Sequence, residues 1–265
     1  MSILGKWWVT MKVGWINLAA YKLNFLLFII GPAVVFFFIK INLWTAVYDS
    51  NTIQLGSFSL EGMLAYQAWV LVVSLLTQSF NDTNLAEDIR LGRISAYLVY
   101  PFDFWQFHGA KFLANLSLQF GISLIMISLL VASSFIDLPN LTTLLKSYLL
   151  CLLIAFTWFT LTFMMGILSF WLDETWVLRV ILINLTGFFS GSIIPLELFP
   201  SWLLDLIYYT PFPYLTSVPV NTFMQRSEVA FLPATLIISA WLIGFIVLAR
   251  FLWHRGVRMY TAAGI

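Results

Sequence analysis

Charge is scarce in this chain. Lys and Arg number 13 and Asp and Glu 12, so charged residues make up 9% of the 265 positions, against about 25% in soluble domains. Hydrophobic residues reach 61%, where about 45–50% is usual, and no soluble fold of this size hides that much apolar surface. A net charge of +1 with a pI near 7.8 leaves no basic field for nucleic acid and no acidic tail. A nucleic-acid partner is therefore not expected. The single Cys151 excludes an internal disulfide and a cysteine-based metal cluster. It sits in an apolar stretch and reads as a small core or lipid-facing residue. His108 and His254, the two histidines, are far apart and have no acidic neighbour at ligand spacing. No metal site is assigned. Gly5-Lys6 lacks an upstream glycine and is followed by Trp7, so no phosphate-cradling Walker A loop is present. Paired His, Asp or Ser side chains at a common depth, which an intramembrane enzyme requires, do not assemble either, and no catalytic residue is assigned.

What the chain has in abundance suits lipid as its solvent. Twelve Trp, ten Tyr and 25 Phe are side chains that settle in helix contacts and at the headgroup boundary. A spanning helix needs about 20 mostly apolar residues, and six stretches qualify: 23–44, 62–80, 112–136, 144–172, 176–196 and 230–253. The first long apolar run begins only after Lys22 and no small-residue cleavage site follows, so it reads as a retained span rather than a leader.

Orientation follows from the basic residues. With the N-terminus inside, Lys6, Lys12, Lys22, Arg90, Arg93, Lys111, Arg179, Arg250, Arg255 and Arg258 are cytoplasmic. Lys40, Lys146 and Arg226 remain outside, a ten-to-three balance that satisfies the positive-inside rule. Residues 198–224 are apolar enough to tempt a seventh span but carry Asp205, Pro211, Pro213 and Pro219. Proline removes a backbone donor and bends helices, and a seventh span would shift the basic balance to eight against five. A re-entrant helical hairpin on the outer side is the expectation, tolerated where protein buries it. In residues 2–20, Leu4, Trp7, Trp8, Met11, Trp15 and Leu18 share one helical face, with Lys6, Thr10 and Asn17 opposite. That pattern predicts an amphipathic helix lying in the cytoplasmic interface. The chain reads as one domain, 1–265: an all-α membrane protein of six transmembrane helices with an N-terminal interfacial helix and an outer re-entrant hairpin before the last span.

Two loops stand out. The segment 81–111 between spans two and three carries Glu87, Asp88, Arg90 and Arg93 ahead of Tyr97, Tyr100 and Pro101. Residues 85–97 suit a short helix of mixed charge that Pro101 stops, although a solvated connector fits the same residues. After span five the chain reads Ser190-Gly191-Ser192-Ile193-Ile194-Pro195-Leu196-Glu197-Leu198-Phe199-Pro200, then Trp202 and Pro211. Gly191 and Pro195 loosen the end of that span. Charges are nearly absent from the span centres, which argues against a proton- or sodium-coupled pump. Gln67, Gln78 and Asn184 are the polar candidates along a translocation path, and each also suits a plain interhelical hydrogen bond.

The interfacial helix, the charged loop with Gly92-Arg93-Ile94-Ser95-Ala96-Tyr97-Leu98-Val99-Tyr100-Pro101, and the Pro195-Leu196-Glu197-Leu198-Phe199-Pro200-x-Trp202 hairpin together resemble the permease subunits of type 2 ABC exporters. The resemblance implies a permease that pairs with a second permease copy or paralogue and with separate ATP-binding subunits, ATP and Mg being held on those subunits and no cofactor on this chain. It implies that Glu87, Asp88, Arg90, Arg93 and Tyr97 dock the ATPase, and that Pro195, Glu197, Phe199, Pro200, Trp202 and Pro211 form an outer lid. The expected function is export of an amphipathic cargo, such as a lipid, glycan-lipid or hydrophobic drug, across the inner (plasma) membrane, with both termini cytoplasmic and membrane lipid as a further partner. The competing class is a secondary transporter or channel not coupled to ATP.

Overall fold

The computed structural model describes residues 2–20, 22–50, 58–77, 85–99, 104–226 and 231–260, and these are helical with short connections. The elements are α1 (Ile3–Ala20), α2 (Lys22–Ser50), α3 (Leu60–Thr77), α4 (Leu85–Arg90), α5 (Ile94–Val99), α6 (Phe104–Ala132), α7 (Leu141–Ile167), α8 (Trp176–Phe189), α9 (Ser201–Ile207), α10 (Phe212–Leu215), α11 (Ser217–Phe223) and α12 (Phe231–Met259). Five of them, α2, α3, α6, α7 and α12, contain stretches long and apolar enough to cross a membrane. The sixth expected stretch, 176–196, is helical for 14 residues, about 21 Å at 1.5 Å per residue, against a hydrocarbon thickness of about 30 Å. It stops at Ser190, and Gly191 takes a φ of +82°, a conformation that glycine adopts without steric cost.

Helices α3 and α7 form the centre of the bundle. From Tyr66 to Val73 every residue of α3 is buried, the signature of a helix that is apolar all round and covered on all sides. Asn140 starts α7, its side-chain oxygen accepting from Thr143 N at 2.8 Å, which satisfies one of the four orphan amides of the first turn. Helix α12 packs extensively along α7. The outer helices keep apolar stripes uncovered: Val35, Phe36, Ile39 and Leu43 on α2, and Leu232, Leu236, Ile243 and Val247 on α12. Their helical spacing gives each helix one continuous apolar face, which suits hydrocarbon contact.

The N-terminal helix is held against α6. A Cβ on Gly14 would lie 2.9 Å from Ala114 Cβ, and one on Gly109 would lie 3.0 Å from the Trp7 ring, so glycine permits the close approach from both sides. Trp15 Nε1 donates to Ala114 O at 3.1 Å and to Ser117 Oγ at 2.9 Å. Trp7, Met11, Trp15 and Leu18 of the expected apolar face are half-buried, while Leu4 and Trp8 are exposed.

Between α8 and α12 the chain makes a series of short pieces, as the prolines predict. Pro195 precedes a single 3-10 turn, Pro200 precedes α9 and Pro211 precedes α10. A fixed φ near −65° and a missing N–H make proline compatible with a helix start and incompatible with continuation. The second half of this region is buried in the bundle. Phe223 of α11 stacks on Trp69 of α3 with ring centroids 4.4 Å apart and meets Tyr148 of α7 edge-on at 6.0 Å.

Candidate functional site

The break after α8 exposes backbone carbonyls that need donors in apolar surroundings, and each has one. Ser190 O accepts from Ser217 N at 2.9 Å, Gly191 O from Tyr66 Oη at 2.8 Å, Ser192 O from Lys40 Nζ at 2.6 Å, and Ile193 O from Gln67 Nε2 at 3.4 Å. Helices α2, α3 and α11 thereby clamp the turn, and the turn closes one end of a cavity of about 430 Å³. That volume lies within the usual range of ligand pockets.

The cavity runs between α2 and α8 over a floor of α3 and α7. Pro32, Ala33, Phe36, Phe37 and Lys40 come from α2, Trp158 and Thr162 from α7, and Arg179, Leu182, Ile183, Asn184 and Thr186 from α8. Its rim residues Phe36 and Ile183 are 62% and 52% exposed, so the mouth opens at the side of the bundle between those two helices. Gln67 and Asn184, two of the three polar residues singled out from the sequence, both line it; Gln78 lies outside the described residues. Asn184 Nδ2 turns back to Val180 O at 2.8 Å. Gln67 Oε1 and Ser190 Oγ are buried without a hydrogen-bond partner, and both residues line the cavity.

Lys40 and Arg179, which the sequence offers as markers of orientation, both lie on the cavity wall. For Lys40 the signal was present: it interrupts an otherwise apolar run, and a cation in such a run marks a functional position by default. The Tyr66 hydroxyl gave no signal, because its partner is 125 positions away.

Of the expected lid residues, Pro195 is buried beneath the turn, Phe199 and Pro211 are half-buried, and Glu197, Pro200 and Trp202 are exposed. Glu197 Oε1 accepts from Asn221 Nδ2 at 3.0 Å, tying the start of the broken region to α11.

The charged segment folds as α4, a turn at 91–93 and α5. Leu85, Ile89 and Ile94 are buried, and Leu85 sits so tightly on α7 that a Cβ on Gly166 would lie 2.8–2.9 Å from its side chain. The charges that sequence reasoning could not assign to packing have partners within the chain. Arg93 pairs with Glu87 at 2.9 Å and Asp88 at 2.8 Å, and Arg90 pairs with Glu174 at 3.2 Å. Arg90 also donates to Asp173 O at 3.2 Å. Gly92, at φ +72°, offers its carbonyl to Tyr260 Oη at 2.8 Å, and that hydroxyl lies 3.0 Å from Ser95 Oγ. Tyr97 packs on Phe104, Phe107 and His108 of α6. One small unit is thus fastened to α6, to α7, to the α7–α8 connection and to the end of α12, while Glu87, Arg90 and Arg93 keep 42%, 46% and 49% of their side chains exposed.

Comparison with curated proteins and with solved structures gives no match. A family model described as ABC-2 family transporter protein matches residues 34–264, from within α2 to beyond the end of α12. With that match covering most of the chain and five helices long and apolar enough to cross a membrane, the chain belongs to the ABC-2 transporter family, as a transmembrane permease.

Proposed function

We propose that this chain is the membrane permease of an ATP-driven exporter that moves an amphipathic, lipid-like cargo across the inner (plasma) membrane. A separate ATP-binding subunit supplies the energy, with ATP and Mg bound there, and a second permease copy or paralogue completes the path. The observation that carries the reading is the side-opening cavity between α2 and α8, which sets apolar and aromatic side chains of α2, α3 and α7 beside polar groups at the turn after α8 and at the start of α8. A cargo with a polar head and an apolar tail matches such a wall on both counts, and a mouth between two helices admits it without passage through bulk water.

The α4–α5 unit is the receiver of the ATPase stroke in this reading. A push on its exposed charges reaches α7 through Leu85 and Gly166, the start of α8 through Arg90 and Glu174, and α12 through Gly92 and Tyr260. Helix α8 ends at the clamped turn on the cavity, so motion of its start is delivered to the cargo site. The topology that goes with this has α8 and the turn after it as a sixth span, both termini cytoplasmic, α1 along the cytoplasmic interface and 198–224 re-entering from the outer side.

The test is affinity purification of the tagged permease from its native host. The expected result is stoichiometric recovery of an ATP-binding subunit whose hydrolysis rate changes with added amphiphile. A permease that purifies without any ATPase, yet supports cargo movement driven by an ion gradient in proteoliposomes, identifies a secondary transporter instead.

A further inference from the structure

The cavity has a charge pattern that narrows its cargo. Its lining contains Lys40 and Arg179 and no Asp or Glu. Arg179 lies in the first turn of α8 and Ser190 caps the other end, about 16 Å apart along the axis at 1.5 Å per residue, so basic groups stand near both ends. The ammonium of Lys40 carries three donors, and Ser192 O is its one acceptor among the described residues. None of the ion pairs among the described residues includes it. A cation held on an apolar wall without an opposite charge is costly, and a bound anion removes that cost.

A second observation comes from polar atoms that have nothing to bond. Gln67 Oε1 accepts only and Ser190 Oγ both donates and accepts; both are buried and unpartnered, in residues 1% and 0% exposed. They belong to the same corner as Lys40, since Gln67 Nε2 and Lys40 Nζ bond the successive carbonyls of Ile193 and Ser192. Buried polar atoms are nearly always satisfied in a finished structure. Lys40, Gln67 and Ser190 all line the cavity, so a small turn of the Gln67 and Ser190 side chains toward it lets one group supply a negative charge for Lys40, a hydroxyl donor for Gln67 Oε1 and a further hydroxyl or anionic oxygen for Ser190 Oγ. Phe36, Phe37, Leu71 and Trp158 continue the wall as an apolar and aromatic surface.

We propose that the cavity between α2 and α8 binds an anionic amphiphile with a hydroxyl-bearing head, the acid group on Lys40, the head hydroxyls on Gln67 and Ser190, and the apolar tail along α2, α3 and α7. This rests on the permease reading for its biological sense, but the binding itself does not need an ATPase.

Phosphatidylglycerol supplies the required head, a phosphodiester beside two hydroxyls, and phosphatidylcholine, with the same phosphodiester neutralised by a choline, is the matched control. The experiment is native mass spectrometry of the detergent-purified permease with one to five equivalents of either lipid. Wild type should retain phosphatidylglycerol about tenfold better than phosphatidylcholine, a factor that corresponds to one charge-assisted contact. Lys40→Gln keeps a donor for Ser192 O and loses the charge, so that preference should fall to within about twofold. Gln67→Leu should weaken retention of phosphatidylglycerol several-fold, and Lys146→Gln, at a cation away from the cavity, should leave it unchanged. Glycerol 3-phosphate at the same concentration should not displace the lipid; equal competition would overturn the amphiphile and leave a free-anion site. An unchanged lipid preference in Lys40→Gln, or an equal loss in Lys146→Gln, would overturn the site assignment. If a copurified ATPase is present while the preference is absent, the cargo inference fails and the ATP-driven reading stands; the reverse pattern sinks the ATP-driven reading alone.

Discussion

Gly191 is the position where a single methyl group has the most definite consequence. Its φ of +82° puts an L side chain in the left-handed region, which costs about 1–2 kcal/mol for alanine. A Cβ there would also stand 2.9 Å from Tyr66 Oη, 3.0 Å from Ser217 Cβ and 3.2 Å from Leu196 Cγ. Three contacts that tight, contributed by α3, α11 and the 3-10 turn, cannot all be relieved by one rotamer change, and overpacking of this kind costs about 1–3 kcal/mol. Gly191→Ala should therefore destabilise the protein by about 2–5 kcal/mol, read as a fall in the midpoint of denaturation by sodium dodecyl sulfate in mixed micelles. Gly244→Ala is the control, because a Cβ at Gly244 meets nothing within 4 Å and the helix interior of α12 should gain up to about 1 kcal/mol. Tyr66→Phe removes the nearest obstacle but strips the Gly191 carbonyl of its donor, a loss of about 1–3 kcal/mol for a buried acceptor. The double variant should then be less destabilised than the two single losses added, because the contact and the hydrogen bond involve the same hydroxyl. Gly191→Ala with a midpoint equal to wild type would refute the account of the clamped turn.

Arg90→Glu with Arg93→Glu should reduce ATPase copurification at least fivefold while the permease stays folded: the pairs to Glu174 and Glu87 are exposed and contribute about 0–1 kcal/mol each, and loss of the pair to Asp88, whose side chain is only 16% exposed, adds a modest fall in the denaturation midpoint; charge reversal at Asp137 and Lys146 should leave copurification unchanged, and full retention in the loop variant makes the segment a connector. Gly166→Val should push Leu85 off α7 and uncouple hydrolysis from transport without loss of ATPase binding, read as basal hydrolysis that no longer responds to amphiphile. A Met259→Cys label site in a Cys151→Ala background should resist an impermeant maleimide in intact cells and react in inverted vesicles; labelling from outside contradicts cytoplasmic termini. Cysteines placed at the exposed Trp202 and Gln225 should react from the same, outer side, and reaction from opposite sides means that 198–224 crosses.

The long helices were legible because length and apolarity are local properties of a window of residues. So were the breaks at Pro195, Pro200 and Pro211, where the backbone restriction belongs to the residue itself. Gln67 and Asn184 could be singled out because amides are rare in such runs, and both line the cavity. What could not be read were pairings across the bundle. Arg90 meets Glu174 at a separation of 84 positions, and Lys40 meets Ser192 at 152. Nothing in the sequence distinguishes Glu174 from any other loop acid. Lys40 interrupts an apolar run, but a place near the end of a predicted span fits a marker of orientation equally well. The end of α8 is half legible: Gly191 and Pro195 mark where that span loosens, but the stop at Ser190 is fixed by donors on α2, α3 and α11, which the sequence does not pair with it.

The short pieces from Pro195 to Phe223 carry a consequence for the order in which the protein is built. Helices α9, α10 and α11 have 7, 4 and 7 residues, whereas an isolated helix below about 12–15 residues is marginal even with favourable residues. Their order comes from Trp69, Tyr148 and the carbonyl of Ser190, all made earlier by the ribosome. The segment has no conformation of its own to bring to the membrane and takes one only after α3 and α7 lie side by side. Helix α12 is made after this segment and packs along α7. Biogenesis of this permease is thus sequential by construction, and a nascent chain halted before residue 195 holds the template for a region it has not yet made.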